Sequence, residues 1–457
     1  MIERPISTLA IRRGARAIAR NRISPELPAG AEPFGAGERL HPIMARHYGM
    51  DWLRIGAFAL LILYHIGMVF VPWDFHVKTA EPNAWVELPL LLTNPWRLTL
   101  LFVVSGYASR ALFAKSAGVR GFLANRNMRL LIPLAFGVTV IVPPQTWVEL
   151  TTQHGYTGGF GWFWLHDYFS FTKVDGVPVP DWNHLWFVGY LWAYTLALAA
   201  LILIPGTERL QGPFDRLFRS RRALLLPLAF LFVTQYLLFQ RVADTQDLID
   251  DPLAHLQYFP AFLFGFGLAG SPAVMRGLAR HWKLSAAIAV VSYATLAVLT
   301  WAAIASAQLT VGDASLSWDN LTRLSRIARV VDVWAAIAAL IGLAERFLNR
   351  DSACRTMLAE AVFPFYIIHQ TIIVLVEYWL LPLHLAPLAE FAILVSATIA
   401  GCWAFYLVGR RIDWLRPLIG LKRTGHRATA PHHDQHDKLD AGDPRWRGGD
   451  PARADLA

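Results

Sequence analysis

Residues 51–72 read DWLRIGAFALLILYHIGMVFVP, an apolar run interrupted only by Asp51, Arg54 and His65. About 20 helical residues cross the ~30 Å hydrocarbon core of a bilayer, so this run is long enough to span one. At about 100° per residue, Arg54 and His65 fall about 60° and 40° behind Asp51 on the helical wheel, and all three share a face with Phe58 and Ile62. A charged group at the centre of a membrane helix costs roughly 2.5–3.5 kcal/mol on insertion scales. A face carrying three ionisable groups therefore reads as a reaction site rather than an anchor.

The rest of the chain repeats the apolar pattern. Of 457 residues, 55% are hydrophobic and 16% charged, and the mean hydropathy of +0.38 exceeds what one soluble core can hide. Further runs of spanning length lie near 88–113, 127–144, 183–205, 221–240, 255–269, 284–307, 327–348, 357–381 and 388–409. The expected fold class is an all-α polytopic integral membrane protein with about ten transmembrane helices. The run at 255–269 is short and holds Pro260, Gly265 and Gly267.

Loop charges orient these spans, because Lys and Arg near the end of a span resist translocation. Arginines crowd the segment before residue 23 and alternate loops, at Arg120 and Arg126, at Arg216 to Arg222, at Arg276 and Arg280, and at Arg346 to Arg355. Arg410, Arg411, Arg416, Lys422 and Arg423 follow the last run. The intervening loops are acidic or mixed, with Asp74 and Glu81, with Asp167, Asp175 and Asp181, and with Asp244, Asp247, Asp250 and Asp251. Both termini are expected in the cytoplasm. One loop breaks the rule: Arg323 and Arg326 fall on the expected outer side.

The net charge of +9 is thus topological and implies no nucleic-acid partner. Cys354 and Cys402 form neither a disulfide framework nor a zinc pattern, so no metal is expected. No continuous apolar run precedes Asp51, and the first span is expected to act as the insertion signal. The organisation reads as a basic N-terminal segment over 1–48, with an amphipathic stretch from Leu9 to Ile23, a membrane domain over 49–410, and a polar tail over 411–457 expected to be disordered.

Candidate chemistry falls at five places. His65 can be neutral at modest cost and accept a proton from a hydroxyl, as a general base must; it could equally donate to a neighbouring helix. Arg54 stays charged and can bind a phosphate or pair with Asp51. FVVSGY at 102–107 puts Ser105 and Gly106 where a hydroxyl or backbone N–H could support an oxyanion, or where small residues let helices approach. Arg126 and Arg129 share a helix face and form a phosphate clamp or a topology signal. HLWF at 184–187 offers His184 and Trp186 to a sugar or to an aromatic belt, a choice that also holds for the aromatic outer loop 145–182. His369, in FYIIHQ at 365–370, is a second intramembrane histidine.

Taken in order, Arg54-x10-His65, FVVSGY, Arg126-xx-Arg129, HLWF and FYIIHQ resemble the acyltransferase-3 family of membrane acyltransferases over roughly residues 49–410. Within it, WDFHVKTAEPNAW at 73–85 is most similar to a branch associated with succinylation of periplasmic glucans. The resemblance departs at Met50 and Asp51, whose context is altered.

The resemblance implies transfer of an acyl group, succinyl or acetyl, from cytoplasmic acyl-CoA to a hydroxyl of an extracytoplasmic carbohydrate, in the bacterial inner membrane. Acyl-CoA would be a cosubstrate, with no permanently bound cofactor. His65 would serve as base with Arg54, Asp51 and Ser105 beside it. Arg126, Arg129, Gly106, Glu81, His184, Trp186 and His369 would bind the substrates. The competing expectation is a transporter in which His65, Arg54 and His369 relay protons or substrate.

Overall fold

The protein is described from a computed structural model covering residues 47–238, 245–308 and 318–423. The basic segment before residue 47 with its Leu9–Ile23 stretch, the tail after residue 423, and Asp244 lie outside the described residues. Among the described residues the chain is helical, apart from a two-residue ladder pairing Lys173–Val174 with Val177–Pro178.

Among the described residues, seven helices are long and apolar enough to cross a membrane: Tyr48–Met68, Gly118–Gln153, Asn183–Leu203, Pro272–Ser306, Asn320–Phe347, Ala353–Leu383 and Pro387–Arg411. Of the other three expected spans, 88–113 is divided between two helices, and the described parts of 221–240 and 255–269 are helical but shorter or less apolar. We label the helices that build the site α1 (Tyr48–Met68), α2 (Arg97–Phe113), α3 (Gly118–Phe136), α4 (Pro143–Gln153), α5 (Trp186–Leu203), α6 (Arg222–Leu231), α7 (Pro252–Ala269), α8 (Pro272–Gln308), α9 (Trp318–Phe347), α10 (Ala353–Leu380) and α11 (Pro387–Arg411).

Two boundaries differ from the sequence reading in ways that shape the site. The run 88–113 is not one helix. Pro95 disfavours helical backbone at Asn94, the chain turns over Leu92–Trp96, and α2 begins at Arg97. The run 127–144 does not stop at its two prolines. Gly137–Ile141 takes a π-helical turn, and Pro143 and Pro144 occupy the first turn of α4, where a missing N–H breaks no helical bond. Residues 145–153, expected in the outer loop, are therefore helical.

Packing follows side-chain size. α2 lies along α7, α8 along α9, α10 along α11, and α1 packs against both α9 and α10. The α2–α7 contact is possible because Gly106 and Gly265 face the opposing backbone, where a Cβ on either would collide with the carbonyl of Phe262 or Val103. α9 is central, burying Val333, Trp334, Ile337 and Ile341. α8 and α11 leave Val290, Val291, Ile399 and Val408 exposed, as lipid-facing helices do. The first residues assigned to the polar tail fold back, burying Ile419 and Leu421 against Ala361 and Tyr406.

Candidate active site

The helix ends sort into two groups. At one end of the bundle lie the start of α1, the ends of α2 and α9, and the starts of α3 and α10. At the other lie the end of α1, the starts of α2, α5, α7 and α9, and the end of α4. A cavity of about 1030 Å³ opens within this second group.

His65 lines the cavity, one turn before α1 ends. Its Nδ1 lies 2.8 Å from Nε2 of His369 on α10, and His369 Nδ1 lies 2.7 Å from the carbonyl oxygen of Tyr366. A carbonyl only accepts, so His369 carries its proton on Nδ1 and, when neutral, accepts at Nε2. His65 must then donate from Nδ1, leaving its Nε2 as the basic nitrogen. His369 is fully buried and does not line the cavity. It is a partner of His65 rather than a wall residue.

His184 sits beside this pair, its ring centroid 5.1 Å from that of His369, and its Nε2 donates to the Ile367 carbonyl at 3.1 Å. Tyr366 donates its hydroxyl to the carbonyl of His184. Gln145 of α4 accepts from Asn183 at 3.2 Å and from Gln370 at 3.1 Å, and donates to Thr371 at 2.7 Å. These bonds tie α4, α5 and α10 into one rigid wall. Trp182, Trp186, Phe187 and Tyr258 supply the aromatic part of the lining.

The loop after α1 turns back over the cavity. Phe75 stacks on His65 with ring centroids 6.3 Å apart, and Gln153 donates to the Phe75 carbonyl at 2.7 Å. His76 pairs with Glu149. Lys78 donates to the carbonyls of Met68 and Val71, both at 2.8 Å, closing the end of α1. Burial pulls the Lys78 ammonium down to about 8, against the pull of nearby Asp74. Glu81 is exposed and does not line the cavity.

The remaining sequence candidates lie away from the cavity. Arg54 and His65 are about 16 Å apart along α1 at 1.5 Å per residue. Asp51 pairs with Arg355 at 2.5 Å and lies 3.9 Å from Arg54, which donates to the Ala359 carbonyl at 3.1 Å. Arg126 donates to Ser109, and both Arg54 and Arg129 lie within its electrostatic reach. Ser105 accepts through its carbonyl from Ser109 at 2.7 Å. Neither Ser105 nor Gly106 lines the cavity, and Gly106 is occupied in the α2–α7 contact.

Sequence reasoning missed Arg97, Arg329, Gln145 and the His76–Glu149 pair. Arg97 was hidden inside an assumed continuous span. Arg326, the exception to the loop-charge rule, lines the cavity with Arg329, and that exception was the available signal.

The family profile Acyl_transf_3, described as an acyltransferase domain, matches residues 47–407. The chain is 23% identical over 341 residues to glucans biosynthesis protein C of Escherichia coli O157:H7 (strain EC4115 / EHEC), covering 72% of this chain and 83% of that protein. It is 23% identical over 346 residues, with the same coverage, to the protein of that name from Shigella dysenteriae serotype 1 (strain Sd197). No solved structure matches the chain.

Proposed function

The chain belongs to the acyltransferase-3 family, and from that premise we propose that it moves an acyl group from cytoplasmic acyl-CoA to a hydroxyl of an extracytoplasmic glucan, with His65 as general base. An acyltransferase is an enzyme, which removes the premise for the transporter reading. The observation that carries the mechanism is the chain from the Tyr366 carbonyl through His369 to His65 at the wall of the cavity. It leaves one basic nitrogen beside the space where a substrate would sit.

In the proposed reaction, His65 Nε2 takes the proton of the acceptor hydroxyl as its oxygen attacks the thioester carbonyl carbon. The tetrahedral intermediate collapses with cleavage of the C–S bond, and His65 returns the proton to the departing thiolate. The products are an ester and free coenzyme A. His369 holds the His65 tautomer and spreads the positive charge that forms on it, the role a buried acceptor plays behind a catalytic histidine.

The two groups of helix ends suit substrates arriving from opposite faces. Arg54, Arg126 and Arg129 would hold phosphates of coenzyme A at the cytoplasmic end. Trp182, Trp186 and Tyr258 offer ring faces, and Asn183, Gln257 and Gln370 offer amides, to a sugar entering from outside. The relatives' name supports a glucan as the acceptor. The acyl group would travel the length between Arg54 and His65 on the extended thioester arm.

The test is ester formation in proteoliposomes loaded with acyl-CoA, read by mass spectrometry of the glucan before and after mild base. His65→Ala should lower the base-labile ester by about 10² or more while the protein inserts normally. Wild-type ester levels in that variant would remove His65 as the base.

A further inference from the structure

Arg97 opens α2 at the cavity wall and is 4% exposed. Its guanidinium lies over the Tyr64 ring, Cζ 3.7 Å from the ring centroid. Nε and Nη1 have no hydrogen-bond partner, and no carboxylate among the described residues lies within ion-pair distance. A buried guanidinium without a counter-charge is expensive, and one retained at a cavity wall calls for an anion.

The surroundings add positive charge. Asn94 donates to the Tyr64 hydroxyl at 2.6 Å and accepts from Arg329, so one amide joins the two arginine sites. Arg326, one turn away on α9, lines the same cavity. Among the described residues, the acids that line the cavity are engaged elsewhere: Glu149 with His76, Asp181 with the backbone N–H groups of Trp182 and Asn183, Asp74 beside Lys78. Asp332, which feels Arg329, does not line the cavity.

We propose that Arg97 and Arg329 form an oxyanion subsite that holds a carboxylate or phosphate carried by a substrate next to His65. Tyr64, the ring under Arg97, is the chain neighbour of His65, with ring centroids 5.9 Å apart, so the anion would sit close to the reacting atoms. Its source is either a free carboxylate on the acyl group or a charged substituent on the acceptor. This inference rests on the acyltransferase reading for its role, but anion binding can be measured without turnover.

The experiment uses the full chain in nanodiscs and the fluorescence of Trp182 and Trp186, which line the cavity. Methyl hydrogen succinate and inorganic phosphate are titrated as anionic probes and dimethyl succinate as the neutral control. The anions should bind saturably and the diester should not. Arg97→Gln should weaken anion binding by about tenfold or more, Arg97→Lys should recover part of it, and His65→Ala should leave it unchanged. Equal binding of the diester, or unchanged anion affinity in Arg97→Gln with the fold intact by size exclusion, would overturn the subsite.

Transfer assays then assign the source. A loss in Arg97→Gln confined to succinyl-CoA, with acetyl-CoA spared, places the anion on the acyl group. A loss with both donors that vanishes on an uncharged oligosaccharide acceptor places it on the acceptor. Anion binding that depends on Arg97 in a protein showing no transfer at all would fail the acyltransferase mechanism and leave the subsite standing.

Discussion

In the proposed mechanism His65 is prepared as a base by a residue 304 positions away in the chain. A lone imidazole in an apolar helix can take either tautomer, and only an acceptor at Nδ1 reserves Nε2 for the substrate. In that mechanism His369 is a positioning residue, and its loss has a distinct signature. His369→Ala should lower kcat by about 10² while the KM for acyl-CoA, whose proposed phosphate contacts lie at the far end of α1, stays the same. It should also move the acid limb of the pH profile of kcat/KM, because it changes what faces the His65 imidazolium. A KM rise with an unmoved pH profile would make His369 a packing residue. Arg97 marks the other limit of reading residues singly: an arginine inside an apparent span looks like a helix end or a misfit until the turn at Pro95 brings it to the cavity wall.

At the scale of helices, apolar runs were legible because a span's length and composition are local properties. What was not legible is where a run bends and which neighbour it meets. The prolines at 143–144 look like a stop and act as a fresh helix start, which carries Glu149 to the cavity and Gln145 to its buried hydrogen bonds with Asn183, Gln370 and Thr371. FVVSGY invites a chemical reading of Gly106, yet the contact with Phe262 assigns that glycine to close packing of α2 on α7.

Contacts between helices also carry charge. His47, just ahead of α1, lies 2.8 Å from Glu345 near the end of α9, and that bond raises the His47 imidazole above its ordinary 6.5. A raised folded value contributes stability fully below the unfolded value, and the contribution fades as pH climbs through the folded one. The Tm gap between wild type and His47→Ala should therefore be wider near pH 5.5 than near about pH 8.5. Thermal unfolding in detergent at both values measures it, and an equal gap at both would discount the pair.

For the whole molecule, the working arrangement needs the cavity on the outside and the Arg54, Arg126 and Arg129 group inside. In that arrangement Cys354, exposed at the start of α10, would report the inner end, and Lys173→Cys, on the exposed hairpin, the outer. An impermeant maleimide should label Lys173→Cys in a Cys354→Ser background on intact spheroplasts, and label native Cys354 only after permeabilisation. The reverse pattern would turn the cavity toward the cytoplasm and reject transfer to an extracytoplasmic acceptor.

Composition and periodicity alone determined a multi-pass helical membrane protein, and five ordered motifs pointed to the acyltransferase family before any coordinate. Both depend on what each segment is, and lipid enforces that segment by segment. Tertiary structure alone decided that His369 stands behind His65, that Ser105 and Gly106 lie away from the cavity, and that Asn94 links Arg329 of α9 to Tyr64, the ring under Arg97. These are contacts between residues far apart in the chain, set by how side-chain volumes interlock between helices, and no single helix encodes its neighbour.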